Sequence, residues 1–318
     1  MRPLVKFLPV PESENRLHDI GFNAADTTSL AAAFRRDQVV LVRNVADQMA
    51  ADGLISSVAK LLGLFDRLKM QAEFASIHGH RESVGQYCMT VNRRESYQFI
   101  PPHSEGTANV GIQIGSLYCR QNTTDGGANI LFNCNDNSAA WSKLHESCVK
   151  VDLRGRVIGR KEEAMLRALH GITLPGSNLS SGLEVIRELS SPVAGVRLCE
   201  VLQPTQMARS QILGRDVHVL WDNVATIDFD LAADFMRTLQ YDGLLKYPAI
   251  GPDITCLDVD YRSHIWHSGL TLAECFQTRV THRLAEGEML IFNNLTWAHS
   301  TANWTPGSGT RDVVAAFA

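Results

Sequence analysis

No two of the seven cysteines, at positions 88, 119, 134, 148, 199, 256 and 275, form a CxxC pair. An odd, widely spaced set gives no disulfide framework and points to free thiols in a reducing compartment. No run approaches the ~20 apolar residues of a membrane span. The opening stretch "MRPLVKFLPVPESEN" has too short an apolar run for a signal peptide and turns acidic. Lysine and arginine (30) do not outnumber aspartate and glutamate (34), and they are scattered. That leaves no basic stripe for nucleic acid and no polybasic run for an anionic membrane surface. Internal repeats, low-complexity tracts and an interdomain linker are also missing. No serine sits in a nucleophile elbow. "GSGT" at 307–310 lacks the lysine and following helix of a phosphate loop. These absences lead to an expectation of one soluble, cytoplasmic domain over residues 1–318, with no nucleic-acid or membrane partner.

What is present is an ordinary globular composition, 45% apolar over 318 residues. "QVVLV" (38–42) reads as a buried strand. Asp47 can cap a helix over 48–62, with Leu54, Ile55, Val58, Leu61 and Leu62 on one face and Gly63 as its stop. Residues 79–100 read as loop, 110–119 and 129–133 as strands, and 138–146 as helix. Helices are expected at 162–171 and 233–240 within a less regular insert around 160–275. "TRVTHRL" (278–284), "EMLIFNN" (288–294) and "TRDVVAAF" (310–317) read as strands, the first two joined by the turn "AEG". Many short strands and few helices describe a mainly β core wrapped by helices.

The chemistry centres on "PPHSEGTANVG" (101–111). His103 and Glu105 lie two apart, so an extended backbone turns both side chains to one face. Two ligands do not hold a catalytic metal. Two histidines and one carboxylate make the facial set of non-haem Fe(II), which leaves positions open. His299, at the end of "LIFNNLTWAHS", can supply the third ligand. Twelve residues on, Arg311 shares a strand face with Val313, Ala315 and Phe317. A cation there is costly to bury unpaired and calls for a carboxylate. The pairs His78/His80 and His264/His267 lack a carboxylate in a strand context and read as loop or surface. His282, inside a strand, reads as a hydrogen-bonded core residue, and Trp297 and Trp304 as core packing.

With His103, Glu105, His299 and Arg311 in that order, the chain resembles the taurine dioxygenase and clavaminate synthase-like Fe(II)/2-oxoglutarate oxygenases. "FRRDQVVLVRNV", "LYCR", "GGAN" (126–129) and "LAEGEMLIFNNLTWAHS" add to the resemblance. It implies a double-stranded β-helix (jelly-roll, cupin-like) core wrapped by α-helices. It implies Fe(II) on His103, Glu105 and His299, and 2-oxoglutarate held by Arg311, with O2 as the second cosubstrate. Asn129 stands where the family often has a threonine that helps hold the cosubstrate. Ala315 stands where many amino-acid-oxidising members carry a second arginine, so a substrate carboxylate, if present, is held elsewhere. Related halogenases carry a small residue at the carboxylate position, so Glu105 implies oxygenation, desaturation or cyclisation without chlorination. The expected substrate is a small polar metabolite, such as an amino-acid derivative or peptide-like natural product of secondary metabolism. Arg93, Arg94, Tyr97, Gln98 and Trp297 are candidate substrate contacts, and the chain is expected to work alone or as a homo-oligomer. The alternative from another class is a non-catalytic metal- or ligand-binding β-barrel.

Overall fold

The structure, a computed structural model, describes residues 7–13, 17–21, 23, 26–78, 81–91, 100–107, 110–221, 227–246 and 265–318. The first elements are β1 (His18–Gly21), α1 (Thr27–Asp37), β2 (Val39–Arg43), α2 (Gln48–Leu61) and α3 (Phe65–His78). Asp47 caps α2 as expected, its Oδ1 accepting from Ala50 N at 2.8 Å. Next come β3 (Met89–Thr90), β4 (Ile100–His103), β5 (Ile114–Asn122) and β6 (Asn129–Cys134). The middle of the chain holds β7 (His145–Asp152), α4 (Arg160–His170), β8 (Glu184–Leu189) and β9 (Arg197–Pro204). It continues with β10 (Ala208–Ser210), β11 (Arg215–Val217), β12 (Ile227–Asp228), α5 (Phe229–Tyr241) and β13 (Ile265–Trp266). The chain closes with β14 (Phe276–His282), β15 (Met289–Asn293), β16 (Trp297–Thr301) and β17 (Arg311–Phe317).

Two sheets carry the architecture. A six-stranded sheet runs β1-β2-β15-β5-β17-β3 and a four-stranded sheet runs β14-β6-β16-β4. Through β3, β4, β5, β6 and again through β14, β15, β16, β17 the chain alternates between the two sheets at every step. Each sheet thereby receives four strands of a double-stranded β-helix, and β1 and β2 extend the larger one.

Alternation along each strand sorts the side chains. Leu117, Cys119, Leu290, Phe292, Val313, Ala315 and Phe317 face inward and meet Leu131, Val280 and Trp297 of the other sheet. Tyr118, Met289, Ile291, Val314 and Ala316 face outward and are covered by α1, α2 and α3. Phe132 and Ala298, on the outer face of the smaller sheet, pack with Leu231, Phe235 and Leu239 of α5. Burial on both faces explains why "EMLIFNN" reads as one apolar run rather than an alternating one. The segment Pro11–Ser13 lies alongside β14: Arg279 N donates to Pro11 O at 2.9 Å and Ser13 N to Arg279 O at 2.8 Å.

Several expectations are corrected. Among the described residues of the stretch around 160–275, α4, β8 and β9 are regular, and β8 and β9 join β7 in a three-stranded antiparallel sheet over α4. Its β8, "EVIREL", is mostly exposed and so carries no apolar alternation to read. Residues 138–146 form a 3-10 turn, Ala139–Lys143, and the start of β7 rather than a helix. "AEG" does not close a hairpin, since β14 and β15 belong to different sheets. Within 79–100, Met89–Thr90 is a strand paired to β17.

Candidate metal centre and anion clamp

β4 and β16 are antiparallel neighbours, and their register sets His103 directly opposite His299. The two rings lie 4.2 Å apart, centroid to centroid. Glu105 follows two residues after His103, and its Oε1 lies 3.8 Å from His103 Nε2 and 3.7 Å from His299 Nε2. Ligand atoms from all three residues fall within 4.8 Å of one another. His103 Nδ1 lies 2.8 Å from Pro101 O. A carbonyl only accepts, so Nδ1 carries the proton and Nε2 presents its lone pair to the cluster. Burial, then the neighbouring His103, pulls His299 below the ordinary imidazole range, so it too is neutral. Burial alone would push the Glu105 carboxyl up. His103, His299 and Arg81 outweigh it and hold Glu105 well below the ordinary carboxylate range. Two imidazole nitrogens and a carboxylate oxygen thus converge on one point. The donor set therefore fits a divalent transition metal. Side-chain exposures of 12% for His103 and 16% for Glu105 leave the cluster open to solvent on one side.

Two residues that fix Glu105 escaped the sequence reading. Asn294, fully buried, accepts from Glu105 N at 2.9 Å and donates to Glu105 O and Ile112 O, both at 3.0 Å. It is the second residue of the "NN" pair after β15, where the sequence shows only a turn signal. Arg81 Nη2 donates to both Glu105 oxygens, at 2.9 and 3.0 Å. Its guanidinium lies 4.8 Å from the Phe317 ring centre. Nothing in "GHRES" marks that arginine.

Arg311 opens β17 and reaches across to the smaller sheet. Its Nη2 donates to Asn129 Oδ1 at 3.0 Å and its Nε to Gly127 O at 3.3 Å. Burial lowers its pKa to about 10, which leaves it charged at neutral pH. Among the described residues it has no carboxylate partner. Asn129, 1% exposed, has an Nδ2 with no acceptor among the described residues. A cation and an idle amide donor at one buried place describe an anion site. The double glycine before Asn129 has a steric cause. A Cβ on Gly127 would stand 2.8 Å from Arg311 Cδ, and one on Gly126 would stand 2.3 Å from Asn303 O. Asn129 pairs with Thr301 and Leu131 with His299. The clamp therefore lies two residues along the sheet from the metal cluster, roughly 7 Å.

The remaining expected site residues fall differently. Arg93, Arg94, Tyr97 and Gln98 lie outside the described residues, as do His80 and His264. Trp297 is 0% exposed within the inter-sheet core, one pleat below His299, which makes it a packing residue in this structure rather than a pocket wall. His282 hydrogen-bonds Glu288 at 2.7 Å, as expected for a strand histidine. His267 lies by Asp230, 3.4 Å away. Trp221, buried, pairs with Ser104, the residue between the two ligands of the motif.

No family model matches the chain, and no curated protein matches it in sequence. Among solved structures it is similar to AAD-2 in complex with Mn(II) and N-oxalylglycine, at 11% identity over 98% of this chain and 96% of that one, TM-score 0.43. It is also similar to PvcB, described as an Fe, alpha-ketoglutarate dependent oxygenase from an isonitrile synthetic pathway. That match has 11% identity over 97% and 89% of the two chains, TM-score 0.38. A second structure, of PvcB from Pseudomonas aeruginosa, gives 10% identity over the same shares, TM-score 0.39. No helix among the described residues is long and apolar enough to cross a membrane.

Proposed function

We propose that this chain is an Fe(II)/2-oxoglutarate-dependent oxygenase that oxidises an unactivated C–H bond of a small polar metabolite. The observation that carries the reading is the pairing of two sites. A two-histidine, one-carboxylate cluster stands one pleat from a half-buried arginine that has no carboxylate partner among the described residues. A short dicarboxylate spans that gap, with one end at the metal and the other on Arg311. His103, Glu105 and His299 would hold Fe(II), and Arg311 with Asn129 would hold the far carboxylate. Bound iron with 2-oxoglutarate and O2 supplies an oxidant strong enough for a C–H bond. The chain's own work is to orient and to exclude water. The bidentate fork of Arg311 fixes the cosubstrate's direction. Asn294 locks the backbone of Glu105, and the inter-sheet core of Phe292, Leu131 and Phe317 keeps the floor of the site dry. Hydroxylation, desaturation and cyclisation all use these residues, and a place in secondary metabolism suits a small polar substrate. A non-catalytic metal-binding barrel has no use for a half-buried arginine without an anion beside its metal, which disfavours that alternative.

The test is anaerobic reconstitution with Fe(II) and 2-oxoglutarate. A weak visible charge-transfer band is expected, with succinate formed after O2 is admitted. His299→Ala and Glu105→Ala should each lose the band. Wild-type protein that binds no Fe(II), or a His299→Ala variant that keeps the band, would refute the proposal.

A further inference from the structure

We propose that Arg81 is a positioning residue: it reserves one oxygen of Glu105 so that the carboxylate ligates a metal through the other oxygen alone. This inference rests on the metal reading above and assigns a further residue to that site.

Three observations support it. First, Glu105 Oε1 is the oxygen that faces both imidazole nitrogens, while Arg81 Nη2 holds Oε1 and Oε2 alike at 2.9 and 3.0 Å. A metal drawing on Oε1 leaves Oε2 as the arginine's acceptor, a charge-assisted bond that stays satisfied. Second, Arg81 is itself held. Its guanidinium lies over the Phe317 ring, and both it and Glu105 are largely buried, with 14% and 16% of their side chains exposed. Third, the backbone that carries Arg81 is clamped. Residues 82–90 fold back on themselves: Thr90 N donates to Glu82 O at 2.9 Å and Val84 N to Cys88 O at 2.9 Å. The tip of this hairpin is pinned to α2 by Asp52. Its carboxylate accepts from the backbone N–H groups of Gln86 at 2.8 Å and of Tyr87 and Cys88 at 2.9 Å. Gly85 lets this approach happen, because a Cβ there would stand 2.1 Å from Asp52 Oδ2. The returning strand, Met89–Thr90, pairs with Val314 and Ala315 of β17. A flexible surface arginine would need none of this. The mount fixes one guanidinium against one carboxylate, as a group that sets a ligand's orientation must be fixed.

Without Arg81 both oxygens of Glu105 are free to turn to the metal. A carboxylate binding through two oxygens fills one of the positions that a single-oxygen ligand leaves to water or cosubstrate.

The experiment loads the full chain with Mn(II) and reads bound water by solvent proton relaxivity, with Co(II) absorption as a second signature. Wild type should hold about three waters on the metal. Arg81→Met should lose roughly a third of the bound-water relaxivity and shift the Co(II) spectrum toward higher coordination by protein. Arg81→Lys, which keeps a charged donor, should recover at least half of that loss. Circular dichroism establishes that each variant is folded. If Arg81→Met fails to fold, Arg81→Lys and Arg81→Gln carry the comparison, with the lysine variant expected nearer wild type because it keeps the charge and the glutamine variant expected to show the larger loss. Wild-type protein that takes up no Mn(II) would overturn the metal reading itself. Normal uptake with unchanged relaxivity and spectrum in every Arg81 variant would overturn this inference and leave the metal reading standing.

Discussion

At the residue scale, Arg311 carries the largest single consequence. It is a half-buried cation whose only described polar partners are Asn129 Oδ1 and the Gly127 carbonyl. Removing one member of a buried charge pair costs about 3–5 kcal/mol, or on the order of a hundredfold or more in affinity. Arg311→Ala should therefore weaken 2-oxoglutarate binding at least a hundredfold and leave Fe(II) binding near wild type. A titration of the metal-loaded protein, followed by its charge-transfer absorbance, measures this. An unchanged titration would place the clamp elsewhere. Arg311→Lys should fall between, since an ammonium keeps the charge and loses the fork. His103 and Glu105 could be picked out by their two-residue spacing, His299 by its place after an apolar strand, and Arg311 because a cation on an apolar strand face is costly. Arg81 and Asn294 could not be, because their significance is a contact. A polar loop arginine and an Asn-Asn turn look the same whether or not a carboxylate backbone lies against them.

At the element scale, the 82–90 hairpin is held by one buried acid and the β7-β9-β8 sheet encloses another. Asp52→Ala strands N–H donors at the buried residues Tyr87 and Cys88 and should cost about 2–4 kcal/mol, read by urea unfolding. A loss under 1 kcal/mol would mean that water or another group replaces the carboxylate. Glu146 is 3% exposed, accepts one bond from Gln203 at 3.0 Å, and has an Oε2 without a partner among the described residues. Burial raises its pKa to about 7. The folded chain thus keeps a proton that the unfolded chain gives up near pH 4.5. This contribution is fully present below the unfolded value and is lost as pH rises toward 7. Glu146→Gln should match wild type near pH 4.5 and be more stable by up to about 3 kcal/mol at pH 8. Melting curves across that range check the sign. The α2 cap was readable because Asp47 acts on its own helix, whereas β8 was not, since its residues are mostly exposed and meet β9 through cross-strand ion pairs such as Arg187–Glu200.

At the scale of the whole molecule, the proposed ligands join elements that are distant in sequence. The metal ligands sit on or just after β4 and on β16, both in the smaller sheet, while Arg311 belongs to the larger one. Metal should stabilise the first pair, and the dicarboxylate should add a tie between sheets. Melting temperature should rise with Mn(II) and rise again with 2-oxoglutarate. Each ligand contributes about 2.7 kcal/mol at a hundredfold excess over its Kd. Glu105→Ala should abolish both increments. Strands were readable because apolar runs announce burial. The sheet order was not, because pairs such as β2 with β15 join residues about 250 apart and no local pattern names a partner. That is also why "AEG" could pass for a hairpin.

The segment Pro11–Ser13 beside β14 bears on solubility. β14 is an end strand of the smaller sheet, and its outward N–H and C=O groups would otherwise stand open to any passing strand. Pro11 and Ser13 take up the N–H and C=O of Arg279, and Glu12 Oε1 accepts from Thr281 N at 2.7 Å. A proline and a glutamate make a cover that cannot itself be extended by further pairing. A variant lacking residues 1–13 should therefore keep its secondary structure when dilute and self-associate as concentration rises, as seen by light scattering. If it stays monodisperse at high concentration, the edge has a second guard.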